Sequence, residues 1–129
     1  MNEDEEAAGL ASTSNYRYAQ QIGSQLLVAG QVPHDATRQL VGGGDPSAQA
    51  TQCLKNLCTL IEHHEFEQRD IRRLVVYVVG DEQNLTRAWS AVSTWFDNQV
   101  PPATLLGVAL LGHEGQLVEI DATILKDKG

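Results

Sequence analysis

Hydrophobic positions along the chain follow two periods, and the switches between them mark out the elements. Residues 16–32, YRYAQQIGSQLLVAGQV, read as two short strands joined at Gly23-Ser24, a dipeptide suited to a type II′ hairpin turn. Residues 34–44, HDATRQLVGGG, are a loop rich in turn formers. Asp45-Pro46 then supplies an N-cap and a proline for the first helical position. Beyond it Ala50, Cys53, Leu54, Leu57, Cys58 and Ile61 recur at helical spacing, which predicts an amphipathic helix of about four or five turns.

The period changes again at IRRLVVYVVG. The β-branched run from Leu74 to Val79 has no charged interruption and suits a central strand covered on both faces. Asp81 is placed to cap a second helix, whose apolar positions are Leu85, Ala88, Trp89, Val92, Trp95 and Phe96. The chain then extends from Ala103 to Leu111, turns at GHEG and returns through Gln116 to Leu125. In that last stretch Val118, Ile120, Ala122 and Ile124 alternate with Glu119, Asp121 and Thr123.

The order is β-β-α-β-α-β-β, an α+β layer in which two helical crossovers each imply a parallel strand neighbour. Two helices cover one face of such a sheet. The other face, with the apolar residues of the central strand on it, needs a partner, and a second copy of the chain is the simplest one.

Composition narrows the class. The 129 residues suit one domain, with 42% hydrophobic residues to build its core. No apolar run approaches the ~18 residues of a membrane span. The start, MNEDEEAAGLASTS, is acidic where a secretory signal is basic and then apolar. The expectation is a cytoplasmic protein with an acidic, solvated tail over residues 1–14 and a single domain over 15–129. The formal charge is −8, and Glu3, Asp4, Glu5 and Glu6 belong to the tail, which leaves the body near −4. A mildly acidic body argues against nucleic acid as a partner, since such surfaces gather Lys and Arg. Arg69, Arg72 and Arg73 form the one basic cluster, read as a solvated strand entry.

Several polar motifs carry no chemistry. Cys53 and Cys58 lie about 140° apart on one helix and cannot bridge within it, so they read as reduced, buried core residues. His63 and His64 are adjacent, whereas a helical metal pair needs i and i+4, and no metal site is expected. The GGGD at 42–45 lacks the Gly-Lys-Ser/Thr of a phosphate loop. His113 and Glu114 fall in a turn with no serine or cysteine nucleophile beside them. Glu119 is different. It sits on the solvent side of an alternating strand, but if a second copy covers that side, the carboxylate loses solvent and becomes able to exchange protons with a water.

Taken together, Tyr16 with Ala19 and Gly23, LLVAGQVP at 26–33, GD at 44–45, AQATQCLKNL at 48–57, VVYV at 75–78, PPATLLGV at 101–108 and VEIDA at 118–122 resemble the RidA/YjgF reactive-intermediate deaminase family over Tyr16 to Thr123. The resemblance implies a chorismate-mutase-like fold and a homotrimer with small-molecule pockets between subunits. It also implies hydrolysis of enamines and imines without a cofactor, with an arginine holding the substrate carboxylate and a glutamate positioning the attacking water.

Carried over by position, Glu119 is the water-positioning acid, Tyr16 lines the pocket, and Gly30 gives a ligand access to the backbone, with Ala29 where many members have serine or threonine. Ala103 stands at the arginine's position and Trp89 at that of a helical asparagine. Pro102, Thr104 and Leu105 bring no cation, and Trp89, Ala103 and Leu105 complete the expected ligand-binding set. The sequence therefore points to a trimer that binds a small metabolite without efficient imine hydrolysis. The alternative is a deaminase of altered specificity in which Arg17, Arg38 or Arg87 replaces the missing cation. Endoribonuclease activity, attributed to some relatives, is a weaker alternative on an acidic surface.

Overall fold

The computed structural model describes residues 17–127, so Tyr16 and the acidic segment 1–14 lie outside the described residues. Strands β1 (Ala19–Ile22) and β2 (Gln25–Val28) form an antiparallel hairpin that pairs Ile22 with Gln25. Gly23 takes a φ of 60° in the turn, a conformation that costs glycine little. Helix α1 spans Pro46–His63 and begins as its sequence implies: the Asp45 carboxylate accepts from the amides of Ser47 and Ala48 at 3.0 and 3.2 Å, with Pro46 in the first turn. A short 3-10 turn, Gln68–Asp70, leads into β3 (Ile71–Val79). Asp81 caps α2 (Glu82–Trp95), and β4 (Ala103–Val108) and β5 (Val118–Leu125) complete the chain.

The five strands form one sheet in the order β1-β2-β5-β3-β4. The α2 crossover makes β3 and β4 parallel neighbours, as the element order implies. The α1 crossover does not: β5 enters between β2 and β3 and runs antiparallel to both. Insertion of the last strand satisfies the open edges of both neighbours at once, which a strand paired only with β4 would not do. β4 also ends at Val108, three residues short of the expected Leu111.

The helices cover one face. Leu74, Val76 and Val78 of β3, with Val118, Ile120 and Ile124 of β5, are buried against Leu54, Leu57 and Ile61 of α1 and Val92 of α2. Burial follows the strand period, so Val75, Tyr77 and Val79 face the other way and stay half-exposed. Within one chain β3 is thus covered on one face rather than two. Its uncovered side continues across the sheet to Ile22, Leu27, Leu106 and Leu125, which are 57, 44, 42 and 41% exposed. Cys53 is buried as expected, whereas Cys58 is only half-buried, and both are free thiols.

One buried polar side chain ties the helix layer to the sheet. Gln49 is fully buried in α1. Its Nε2 donates to the carbonyls of Gly42 and Gly115, both at 3.1 Å, and its Oε1 accepts from the amides of Leu117 and Val118 at 2.7 and 3.3 Å. The amide thereby serves the glycine loop before α1 and the entry to β5 together. Replacing Gln49 with leucine leaves the Gly115 carbonyl and the Leu117 and Val118 amides without this partner, while the Gly42 carbonyl keeps the Asp45 amide at 2.9 Å; the loss is about 1–3 kcal/mol for each group that finds no water. Gln49→Leu should lower the denaturant midpoint by an amount equivalent to ~3 kcal/mol or more at unchanged slope. Wild-type stability in chemical denaturation would show that the amide is not such a tie.

Candidate functional site

β5 pairs Glu119 with Tyr77 and sets both on the uncovered face of the sheet. The segment after β2 comes alongside. The Ala29 amide donates to the Tyr18 carbonyl at 2.7 Å, and Gln31 exchanges backbone hydrogen bonds with Ile120 at 2.7 and 3.0 Å. Gly30 therefore lies directly against Glu119. A Cβ at residue 30 would overlap the Glu119 carboxylate at Oε2, so glycine here is what lets the acid lie along the backbone. Asn56 of α1 holds the next turn of this segment by donating to the carbonyls of Val32 and His34, each at 2.9 Å.

The other carboxylate oxygen is held from within β5's own approach. Gln116, 4% exposed, donates from Nε2 to Glu119 Oε1 at 3.3 Å and to the Val118 carbonyl at 3.0 Å, while its Oε1 accepts from the His113 amide at 3.2 Å. Glu119 is half-buried, with one oxygen bonded and the other against Gly30. A carboxylate fixed in this way can accept a hydrogen bond from a water and take its proton.

Two neighbours take no part as nucleophiles. Cys53 lies beneath β5 with Sγ 3.7 Å from the Val118 carbonyl, and its thiol is pushed well above its ordinary range by burial first and by the charge of Glu119 second. The rings of His34 and His113 meet edge to face at 4.8 Å, and the pKa of His34 is lowered by burial and then by His113, against a smaller opposing pull from Asp35. Among the described residues no group of three or more His, Cys, Asp or Glu is disposed to hold a metal ion, and no helix is long and apolar enough to cross a membrane.

The remaining candidate residues lie elsewhere. Ala103 pairs with Leu74 and packs against the core on the helix side of the sheet, and Leu105, two residues on, shares that side at 36% exposure. Leu85 of α2 lies over Gly107, and Trp89, one turn further along the helix, is half-buried against the core. Gly30 and Glu119 thus sit on one face, while Ala103, Leu105 and Trp89 sit on the other, with β3 between β5 and β4. One chain does not bring the two groups together. Arg17 is exposed ahead of β1, Arg38 is exposed in the loop before α1 with a φ of 67°, and Arg87 is exposed on α2.

Sequence reasoning missed Gln31 and Gln116, buried amides: Gln31 donates to the Ala29 carbonyl in the segment bridged to Ile120, and Gln116 folds back on its near neighbours His113, Val118 and Glu119. It also grouped Arg73 with its neighbours. Arg69 pairs with Glu67 at 2.6 Å and Arg72 with Asp127 at 3.1 Å, but Arg73 turns to β4, where Nη2 donates to Thr104 Oγ1 at 2.8 Å.

Residues 6–126 match the family described as Endoribonuclease L-PSP. The chain belongs to that family. A RutC family protein of Pyrococcus horikoshii is 26% identical over 112 residues, 87% of each chain. The solved structure of RidA from the Antarctic bacterium Psychrobacter sp. superposes with a TM-score of 0.79 at 23% identity, covering 90% of this chain and 92% of that one. The YjgF gene product of E. coli gives 0.80 at 23% identity, covering 91 and 92%. The order and pairing of elements described above are therefore those of a RidA-like member of the L-PSP family.

The contact at Gly30 yields a clean test. The group a new Cβ meets is the end of a flexible side chain, so Gly30→Ala should change the melting temperature little. It should displace the Glu119 carboxylate, which a crystal structure of the variant would show. An undisplaced carboxylate would mean that Gly30 does not set its position.

Proposed function

We propose that the chain acts as a homotrimer that binds a small metabolite in pockets between subunits, with Glu119 as the polar centre of each pocket and with inefficient hydrolysis of amino-acid-derived imines. The observation that carries this reading is the placement of Glu119. Glu119, fixed by Gln116 and laid against Gly30, lies on a face that a single chain leaves uncovered, and the strand bearing Ala103 lies across the sheet from it. An assembly around the uncovered face encloses Glu119 and removes exposed apolar surface at the same time. Its localisation on this reading is cytoplasmic, and it requires no cofactor.

Weak catalysis follows from position 103. A bidentate guanidinium-carboxylate pair orients a substrate as well as binding it, and alanine supplies neither donor nor charge. Tyr16 remains a proposed pocket residue, whereas Ala103, Leu105 and Trp89 lie on the helix side of the sheet, away from Glu119. The organised Glu119 favours a second reading, an imine deaminase of altered specificity, because a carboxylate held at one oxygen is well suited to position a water. Endoribonuclease activity gains less support: Arg69 and Arg72 are spent on Glu67 and Asp127 rather than arrayed for phosphates.

Light scattering in neutral buffer should give a particle of three times the 14.1 kDa chain mass. Glu119→Gln should retain that mass while changing the affinity for 2-oxobutanoate several-fold. A folded monomer, or a variant indistinguishable from wild type in binding, would sink the inter-subunit site. Turnover separates the two readings. The wild type should hydrolyse 2-iminobutanoate at close to the rate of the buffer control. Efficient wild-type turnover would establish the deaminase instead.

A further inference from the structure

Two loops that carry none of the proposed chemistry meet beside the site. The segment after Gly30 turns back on itself as a small hairpin, in which the Asp35 amide donates to the Gln39 carbonyl at 3.0 Å and the Val41 amide to the Pro33 carbonyl at 2.9 Å. Its tip is closed by the Asp35 carboxylate, which accepts from the Thr37 and Gln39 amides and the Thr37 hydroxyl. The turn between β4 and β5 closes as tightly: the Gln116 amide donates to the His113 carbonyl at 3.1 Å, and the His113 amide to Gln116 Oε1 at 3.2 Å. The two loops touch at two points. The rings of His34 and His113 meet edge to face, 4.8 Å between centroids and 78° between planes, and a Cβ on Gly115 would meet the Leu40 side chain at 2.9 Å.

This contact bears on Glu119 through one residue. Because Gln116 Oε1 is taken by the His113 amide, its Nε2 faces the Val118 carbonyl and Glu119 Oε1. The backbone of His113 thus orients the amide that holds the carboxylate, and the ring of His113 rests on His34. Glu119 lies in turn against Gly30, four residues ahead of His34. The ring pair therefore clasps the two segments that make the Glu119 contact.

Neutral imidazoles pack edge to face without penalty, whereas two imidazolium ions at this separation repel. Burial first and His113 second oppose protonation of His34, and Asp35 pulls weakly the other way, its carboxylate already shared among Thr37 and Gln39. Helix α1 meets His34 with an uncharged group, the Asn56 amide on its carbonyl, and Glu114 beside His113 is exposed to solvent. The closed pair binds fewer protons than the parted pair. It is favoured at neutral and higher pH and loses ground as pH falls through the ordinary histidine value of about 6.5.

We propose that the contact of His34 with His113 is a proton-sensitive latch that keeps Gln116 on Glu119 while both rings are neutral and releases it when they take up protons. This rests on the reading of Glu119 as the polar centre of the site and adds its control: a ligand that depends on a fixed Glu119 binds at neutral pH and is released in acid.

NMR of the intact protein from about pH 8 to about pH 5.5, above the range in which carboxylates titrate, tests the latch. The His34 ring should titrate below its ordinary value, and His113→Phe, which keeps an aromatic ring and removes the charge, should raise that midpoint. Hydrogen-exchange protection of the amide at residue 113, which reports the bond to Gln116, should fall at least tenfold over this range in the wild type and stay level in His113→Phe. The side-chain carboxyl carbon signal of Glu119 should follow it. Level protection in both proteins, equal loss in both, or a Glu119 signal indifferent to the histidines overturns the proposal. If His113→Phe does not fold, His34→Phe makes the same comparison with the charge removed from the other ring. None of these readings needs a ligand, so a protein that passes them and binds no 2-oxobutanoate loses the binding reading and keeps the latch. Binding undiminished in acid, with Glu119→Gln impaired, keeps the site and removes the latch.

Discussion

The amide of Gln49 is the constraint on which the geometry of this domain turns. A helix packed on a sheet by apolar contacts alone is free to slide, since dispersion and hydrophobic burial have little direction. Four hydrogen bonds to backbone groups of two separate segments allow one position. Because two of those bonds land on Leu117 and Val118, α1 sets where β5 begins, and Glu119 is the next residue. Gln116, immediately before them, is turned inward by the same entry and reaches the carboxylate. Asn56, two turns along α1, holds the segment after Gly30 from the same helix. Both sides of the Glu119 contact thus hang from one rigid element, which is how a side chain on a sheet surface acquires a fixed position without being buried.

A second constraint is the uneven covering of the sheet. Helix α2 and helix α1 shield the face bearing Leu74, Val76 and Val78, and the opposite face keeps Ile22, Leu27, Leu106 and Leu125 in water. The central polar strip of that face, Glu119, Asp121 and Thr123 on β5, runs between these apolar residues. An interface with apolar flanks and an enclosed polar strip excludes water around the strip while leaving hydrogen-bonding groups within it. Assembly and the site are consequently the same question for this fold.

The elements were legible in the sequence because each carries a local signal: Asp45-Pro46 and Asp81 start the helices where their caps imply, Gly23 turns the first hairpin, and the alternation from Val118 to Ile124 is the burial pattern of β5. The place of β5 in the sheet was not legible, since the helical crossover before β3 suggests a parallel neighbour and nothing local announces that the last strand will enter between. The site was legible in part. Glu119 and Gly30 do meet, but the reason, an acid lying where a Cβ would be, is a contact across 89 residues. Gln116 looked like an ordinary strand entry because nothing in the alternation announces that its amide folds back on Glu119, and Arg73 looked like one of three solvated arginines because its partner, Thr104, lies on another strand.

Alanine at residue 103 and an ordered carboxylate at residue 119 pull the functional reading in opposite directions, and energetics reconciles them. Holding Glu119 in place serves any ligand that offers a hydrogen-bond donor, whether or not a reaction follows. Catalysis asks for more, because the reacting carbon must be held over the water within a fraction of an ångström, and orientation of that kind needs an anchor. A site with an ordered carboxylate and no cation at residue 103 is therefore better suited to recognition than to rate. The packing of Ala103 against the core strengthens this argument, since a small apolar residue there closes the helix side of β4.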